Sequence, residues 1–200
     1  MVGYCIKKFS SAGEFILSFG KYGFEEGELF WPTYLAVDFD QNVYVSDRLS
    51  NRIQKFSSQG EFLITFNRTN KDINTLFDPV GIFIEKNGDI LVGEPLRGQV
   101  KKINPKGKCL STMRRPGIRE QDFNSPLCFT QDLNEDIYIS DFMNHRIQKF
   151  TKDFEFIWTL GTYGNGKGEF NGPLGILLID KYLFVCDQLN HRIQRFKIFQ

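Results

Sequence analysis

The chain has 200 residues, 41% of them hydrophobic and 15% aromatic, with 25 Lys and Arg against 24 Asp and Glu for a net charge of +1. That length suffices for a sizeable core, and the apolar content excludes a disordered chain. The balance of charge excludes a global attraction to nucleic acid or to a membrane surface, so any charged site has to be local.

Phe alone numbers 21, an excess that points to strands. No apolar run is long enough for a membrane-spanning helix, and the opening residues reach Lys7 and Lys8 without the apolar core of a signal peptide. A cytoplasmic chain is therefore expected. Cys5, Cys109, Cys128 and Cys186 form no C-x-x-C pair and are expected as buried free thiols of a reducing compartment. The sequon Asn67-Arg68-Thr69, with no leader beside it, is expected to be a chance match.

In chain order, the first strand signals lie at 6–9 and 14–19. Ile6 stands 47 residues before Ile53, so these two are expected to be the third and fourth strands of a partial opening repeat. Two landmarks then recur in phase. Pro32, Pro79, Pro126 and Pro173 are 47 apart, and the acidic residues Asp47, Glu94, Asp141 and Asp187 are spaced 47, 47 and 46. A fixed period of this length is a repeat architecture. The units run 1–31 (partial), 32–78, 79–125, 126–172 and 173–200 (partial), as one repeat region. The last repeat is one residue short, which places a deletion near Asp180-Lys181.

Each full period carries four short strand signals. The first, at 35–39, 80–84, 127–130 and 174–179, is almost continuously apolar and predicts an innermost strand buried on both faces. A polar turn leads to the second, at 43–45, 90–92, 137–139 and 183–185. The third, 52–56 and its copies, alternates apolar and polar residues and predicts one wet face toward the rim. The fourth lies at 61–66, 108–113 and 155–160. Four antiparallel strands per unit cannot bury their faces alone, and radial stacking of such units predicts an all-β chain, a β-propeller of four-stranded blades. The chain is expected to be a piece of a larger propeller. The alternative is a small ring in which 14–19 completes the last blade. In the first case strand edges at the chain ends would be available for assembly.

The pattern Pro-x-Gly before an apolar run, Asp-x-x-x-Asn-x-Arg-Ile-x-x-Phe, and a Gly-x-x-Gly-x-Gly-x-Phe connector resembles the NHL-repeat propellers. Asn144-His145-Arg146 and Asn190-His191-Arg192 carry the Asn-His element, Gly81 and Gly175 follow their prolines, and Gly161 to Pro173 matches the connector. Tyr34 and Cys128 depart from the pattern. The resemblance covers essentially the whole chain. It implies blades of about 47 residues and a binding module, in some relatives attached to ubiquitin-ligase modules and in some binding RNA. It does not imply one activity.

Three sets of residues are candidates for chemistry. The pairs Asp47/Arg52, Asp141/Arg146 and Asp187/Arg192 have the residue types of a site. They recur in every blade, however, and the second repeat changes both members, to Glu94 and Gln99. This joint change predicts a turn clamp and not a catalytic group. The recurrent Asp38, Glu85 and Asp132 are expected in surface turns, and the only histidines, His145 and His191, have no ligand set around them, so neither metal nor cofactor is expected. The third set is formed by residues that break the repeat. Arg68, Lys71, Arg114, Arg115 and Arg119 lie in two connectors without the glycine pattern, Arg48 and Arg97 lie in the anchor turns, and Trp31 and Tyr163 lie in the connectors nearby. Cations beside rings are what single-stranded RNA recognition needs.

The expected function is non-enzymatic protein binding through the face built by turns and connectors. The alternatives are RNA binding by the basic connector residues, and a metal-dependent hydrolase or lyase of propeller type.

Overall fold

A computed structural model describes residues 3–66 and 76–198. Its strands are β1 (Ile6–Phe9), β2 (Phe15–Phe19), β3 (Pro32–Val37), β4 (Val43–Asp47), β5 (Arg52–Phe56), β6 (Phe62–Phe66), β7 (Ile82–Ile84), β8 (Ile90–Glu94), β9 (Gln99–Ile103), β10 (Cys109–Arg114), β11 (Pro126–Gln131), β12 (Ile137–Asp141), β13 (Arg146–Phe150), β14 (Phe156–Leu160), β15 (Pro173–Ile179), β16 (Tyr182–Asp187) and β17 (Arg192–Lys197). The sheets are β1-β2, β3-β4-β5-β6, β7-β8-β9-β10, β11-β12-β13-β14 and β15-β16-β17. Each sheet is a meander in chain order, the blade unit of the β-propeller class. The only helical pieces among the described residues are short 3-10 turns between second and third strands, and no helix is long and apolar enough to cross a membrane.

The chain divides into two compact units, residues 1–92 with 103–110 and residues 93–102 with 111–200. In the first, the opening hairpin pairs Ile6 with Phe19 as Ile53 pairs with Phe66, so the phase read from Ile6 and Ile53 holds. Leu29, Val45 and Phe56 form one buried cluster against Ile6 and Phe19. Tyr44, Ile53, Phe66, Leu76, Ile82, Ile90 and Val92 belong to a second. The Ser46 hydroxyl ties one blade to the next by donating to the Val80 carbonyl at 2.8 Å.

The second unit repeats the scheme. Ile137, Tyr138, Ile139, Ile147 and Phe150 fill the centre of its complete blade, and the Ser140 hydroxyl donates to the Leu174 carbonyl at 2.8 Å. Gly93 occupies the register of Ser46 and Ser140, and a Cβ there would lie 2.5 Å from the Pro126 carbonyl oxygen, so no side chain fits. The deletion near Asp180-Lys181 is a two-residue hairpin between β15 and β16, with Asp180 at φ 52°.

Two burial expectations are corrected. Among the first strands, which lie at the sheet edges, β7 and β11 are largely buried as expected, but Leu35 and Val37 of β3 and Leu177 and Ile179 of β15 are exposed, so those two strands are not buried on both faces. The third strands β5, β9 and β13 have no wet face. Gln54 and Gln148 are fully buried, and Lys101 and Lys149 nearly so. Their polar side chains alternate because they bond inside the protein. The thiols also differ from expectation: Cys128 is buried, but Cys186 is exposed and Cys5 and Cys109 are half-buried, with no disulfide among the four.

Candidate functional site

Each second strand ends in the acidic residue, followed by one 3-10 turn: Arg48–Ser50, Pro95–Arg97, Phe142–Asn144 and Gln188–Asn190. The next residue takes the left-handed conformation, Asn51 at φ 53°, Gly98 at 55°, His145 at 54° and His191 at 53°. Gly and Asn adopt this conformation readily, and His is enriched there. The histidines therefore serve the backbone bend. His145 Nδ1 accepts the Gly172 N–H at 3.1 Å, and its ring packs on Tyr163 with centroids 4.8 Å apart.

The acidic side chain and its Arg hold the preceding connector. In the first unit, Asp47 Oδ1 accepts the N–H groups of Phe30 and Trp31 at 3.1 and 2.6 Å, and Oδ2 accepts Arg52 Nε at 3.0 Å. The remaining Arg52 nitrogens donate to the carbonyls of Phe24 and Glu28 at 2.6 and 2.7 Å. In the second unit, Arg146 bonds Asp141 at 3.0 Å and the carbonyls of Arg119 and Asp122 at 2.7 Å each. Arg192 bonds Asp187 at 2.7 Å and the carbonyls of Asn165, Gly166 and Glu169 at 2.6 to 2.9 Å. Charge-assisted bonds of this kind are about twice as strong as neutral ones, and burial makes the pairing obligatory.

A third member belongs to the clamp. Gln148 Nε2 lies 3.4 Å from Asp141 Oδ2, and Gln194 Nε2 lies 3.2 Å from Asp187 Oδ2. The second repeat has Lys101 at that register, 3.1 Å from Glu94, and Gln99 in the place of Arg, also donating to Glu94. The cation has moved two residues along the strand. Comparing the Asp and Arg positions alone misses this exchange; comparing Gln54, Lys101, Gln148 and Gln194 exposes it.

At the opposite strand ends, Lys55 pairs with Asp38 at 3.0 Å. Lys149 lies 2.9 Å from both Asp132 and Asp136, and the Tyr138 hydroxyl donates to Asp132 at 3.1 Å. Burial pushes the Tyr138 phenol up to about 12. Burial works against the Lys149 charge, but Asp136, Asp132 and Tyr138 outweigh it and raise that ammonium above its usual range. Glu85 and Asp132 are buried, so the expectation of surface turns is corrected for these two. Among the described residues, no group of three or more His, Cys, Asp or Glu is arranged to hold a metal ion.

The candidate binding residues divide between the units. In the first, Trp31 is exposed, and Arg48 is held in a two-bond pair with the buried Asp78 at 2.6 and 3.0 Å. That carboxylate raises the guanidinium pKa. Arg68 and Lys71 lie outside the described residues. In the second, Arg97 lies 3.9 Å from Glu94, Arg114 is the last residue of β10, and Arg115 donates to Gln121. Arg119 is exposed, and its backbone is fixed by Asp122 Oδ2 at 3.0 Å. The connector 115–124, whose sequence lacks the glycine pattern, has the same backbone bridge as its counterparts: Pro116 bridges Phe123 as Tyr22 bridges Leu29 and Tyr163 bridges Phe170.

Sequence reasoning missed the residue at the crest of each 3-10 turn. Leu49, Leu96, Met143 and Leu189 are 52, 68, 53 and 50% exposed at one equivalent position. Their signal was legible as the middle residue of Arg-Leu-Ser, Pro-Leu-Arg, Phe-Met-Asn and Gln-Leu-Asn. Single exposed apolar residues are ordinary, but one at the same crest of all four turns is a pattern.

No protein-family model matches the chain, and no curated protein does. Solved structures do. A streptogramin B lyase is 17% identical, with 99% of this chain and 63% of that chain covered at a TM-score of 0.70. A catalytically inactive virginiamycin B lyase from Staphylococcus aureus, solved with quinupristin, is 18% identical over 99% of this chain and 64% of that one, at 0.68. A nidogen/laminin complex contains a chain 15% identical over 97% of this chain and 68% of that one, at 0.73. The chain thus spans less than two thirds of the two lyases' length. At these identities the likeness establishes the β-propeller fold, which occurs here in proteins of unlike function.

Proposed function

We propose that the chain is an NHL-type propeller region that binds protein partners through its anchor turns and connectors and catalyses no reaction. The observation that carries this reading is the exposed Leu or Met at the crest of all four anchor turns. Three of these turns are tied to the preceding connector by backbone hydrogen bonds: Arg48 N–H to Trp31 O at 3.0 Å, Met143 N–H to Asn124 O at 3.0 Å, and Leu189 N–H to Asn171 O at 3.0 Å. Such preorganisation lowers the entropy cost of binding, and apolar crests supply the area an interface core needs. The nidogen/laminin complex is a precedent for a propeller of this fold in a protein assembly. On this reading the compartment is the cytoplasm, in keeping with four cysteines that form no disulfide.

Selection from a random displayed peptide library, followed by hydrogen exchange, tests it. The expected result is protection of the anchor turns in the complex and loss of binding in the combined variant Leu96→Ser, Met143→Ser and Leu189→Ser. Protection confined to other surfaces contradicts the reading. A titration with single-stranded RNA at two salt concentrations discriminates the RNA alternative: tight binding with a steep salt slope would favour it.

A further inference from the structure

We infer that the turn-and-connector face of the second unit takes an extended acidic peptide segment whose alternate side chains are apolar. This rests on the protein-binding reading above and names the chemistry of the partner. The face is contiguous by contact. Gly98, ending the turn that carries Leu96, packs against Pro116 of the next connector. The Asn144 amide, beside Met143, donates to the Gly117 carbonyl at 2.9 Å. The His145 ring lies on Tyr163, and Gly172 packs against Phe142 and Leu189. Apolar groups thus follow in the order Leu96, Ile118, Met143, Tyr163, Leu189, with Ile118 78% and Tyr163 69% exposed.

The charges around this row are asymmetric although the chain as a whole is nearly neutral. The acidic connector residues Asp122 and Glu169 turn onto their own loops, accepting the N–H of Arg119 at 3.0 Å and of Gly166 at 2.8 Å. Arg115, Arg119 and Lys167 stay exposed, against a single exposed carboxylate, Glu120. The Arg119 guanidinium makes no ion pair among the described residues. An apolar row flanked by cations complements a chain that places apolar side chains on one face and carboxylates beside them, and an extended strand alternates its side chains in this way. The row's side chains are mostly aliphatic, whereas bases require flat rings to stack on, so the composition favours a peptide over RNA.

The test is fluorescence anisotropy with the 200-residue chain and four labelled probes: short peptides alternating Glu with Leu, Gln with Leu, and Lys with Leu, and a single-stranded RNA. The Glu-Leu peptide is expected to bind about tenfold tighter than the Gln-Leu peptide and to weaken with salt. Arg115→Gln with Arg119→Glu should remove that advantage, bringing Glu-Leu binding down to the level of Gln-Leu, while the triple Ser crest variant should lose binding of both peptides. Melting curves check that these surface variants stay folded. Equal binding of Glu-Leu and Gln-Leu, both lost in the crest variant, overturns the acidic preference and leaves the protein-binding face intact. Binding indifferent to the crest variant overturns the face itself. Absence of Glu-Leu binding, stronger Lys-Leu binding, or RNA outcompeting the Glu-Leu peptide each overturns the inference.

Discussion

Lys101 Nζ lies 3.1 Å from Glu94 Oε1, and both side chains are almost wholly removed from solvent. The other three repeats place Gln at the Lys101 register and Arg two residues earlier. The pair is therefore a relocated clamp. Its carboxylate keeps a cation, but that cation has one ammonium in place of a guanidinium fork, and the connector preceding it lacks the glycine pattern.

A charge-exchange cycle follows. Lys101→Gln alone leaves Glu94 buried without its nearest cation and should cost roughly 3 kcal/mol. Gln99→Arg alone adds a second cation to an occupied site and should also destabilise. The double variant rebuilds the arrangement seen at Asp141, Arg146 and Gln148, and should recover stability beyond the sum of the single effects by about 1 kcal/mol or more. Urea denaturation measures all four proteins, and additive single effects would contradict the account.

Asp141 and Asp187 occupy the same register and shift in opposite directions. Burial pushes the Asp141 carboxyl up, and bonds from Asn124, Asn144 and Arg146 offset only part of that. Burial also acts to raise Asp187, but bonds from Asn171, Asn190, Arg192 and Gln194 outweigh it and hold the group below its ordinary 3.8. Asp187 thus contributes stability above its unfolded pKa and loses it as pH falls through the folded one. Asp141 costs stability above its folded pKa, and the cost vanishes below the unfolded one. Carbon-detected NMR of the carboxyl groups should show Asp141 taking up its proton at a higher pH than Asp187; the reverse order would refute the assignment.

The thiols give a third prediction. Alkylation of the native protein, followed by mass spectrometry, should label the exposed Cys186 first and the half-buried Cys5 and Cys109 more slowly. Cys128 is 3% exposed, with Sγ 3.8 Å from the Ile176 carbonyl, and should react only once the protein is unfolded. Early labelling of Cys128 would show that its blade opens under native conditions.

The repeat length, the strand order and the register of the opening hairpin were legible, because two landmarks recur in phase and Ile6 falls on the register of Ile53. The environment of the strands was not. A period of two distinguishes one face from the other, but it does not say whether the polar face meets water or protein. In β5 and β13 that face is internal, because Gln54 and Gln148 bond to connector carbonyls and, in β13, to the acidic residue. The path of the connector 115–124 was not legible either: it lacks glycines at several positions yet follows its counterparts, because Asp122 caps it and Phe123 anchors it. The crests at Leu49, Leu96, Met143 and Leu189 were visible in the aligned repeats, but nothing in sequence distinguishes an exposed Leu from a buried one.

Arg52, Arg146 and Arg192 fasten the connectors by their carbonyl oxygens, a group that every residue carries. The fastening is therefore indifferent to spelling. A connector can exchange its outward side chains, as Ile118 and Arg119 stand where Asn165 and Gly166 stand one blade later, without renegotiating its path. Such a scaffold separates the part that must stay constant from the part free to vary, and new partners could be acquired by rewriting the second alone.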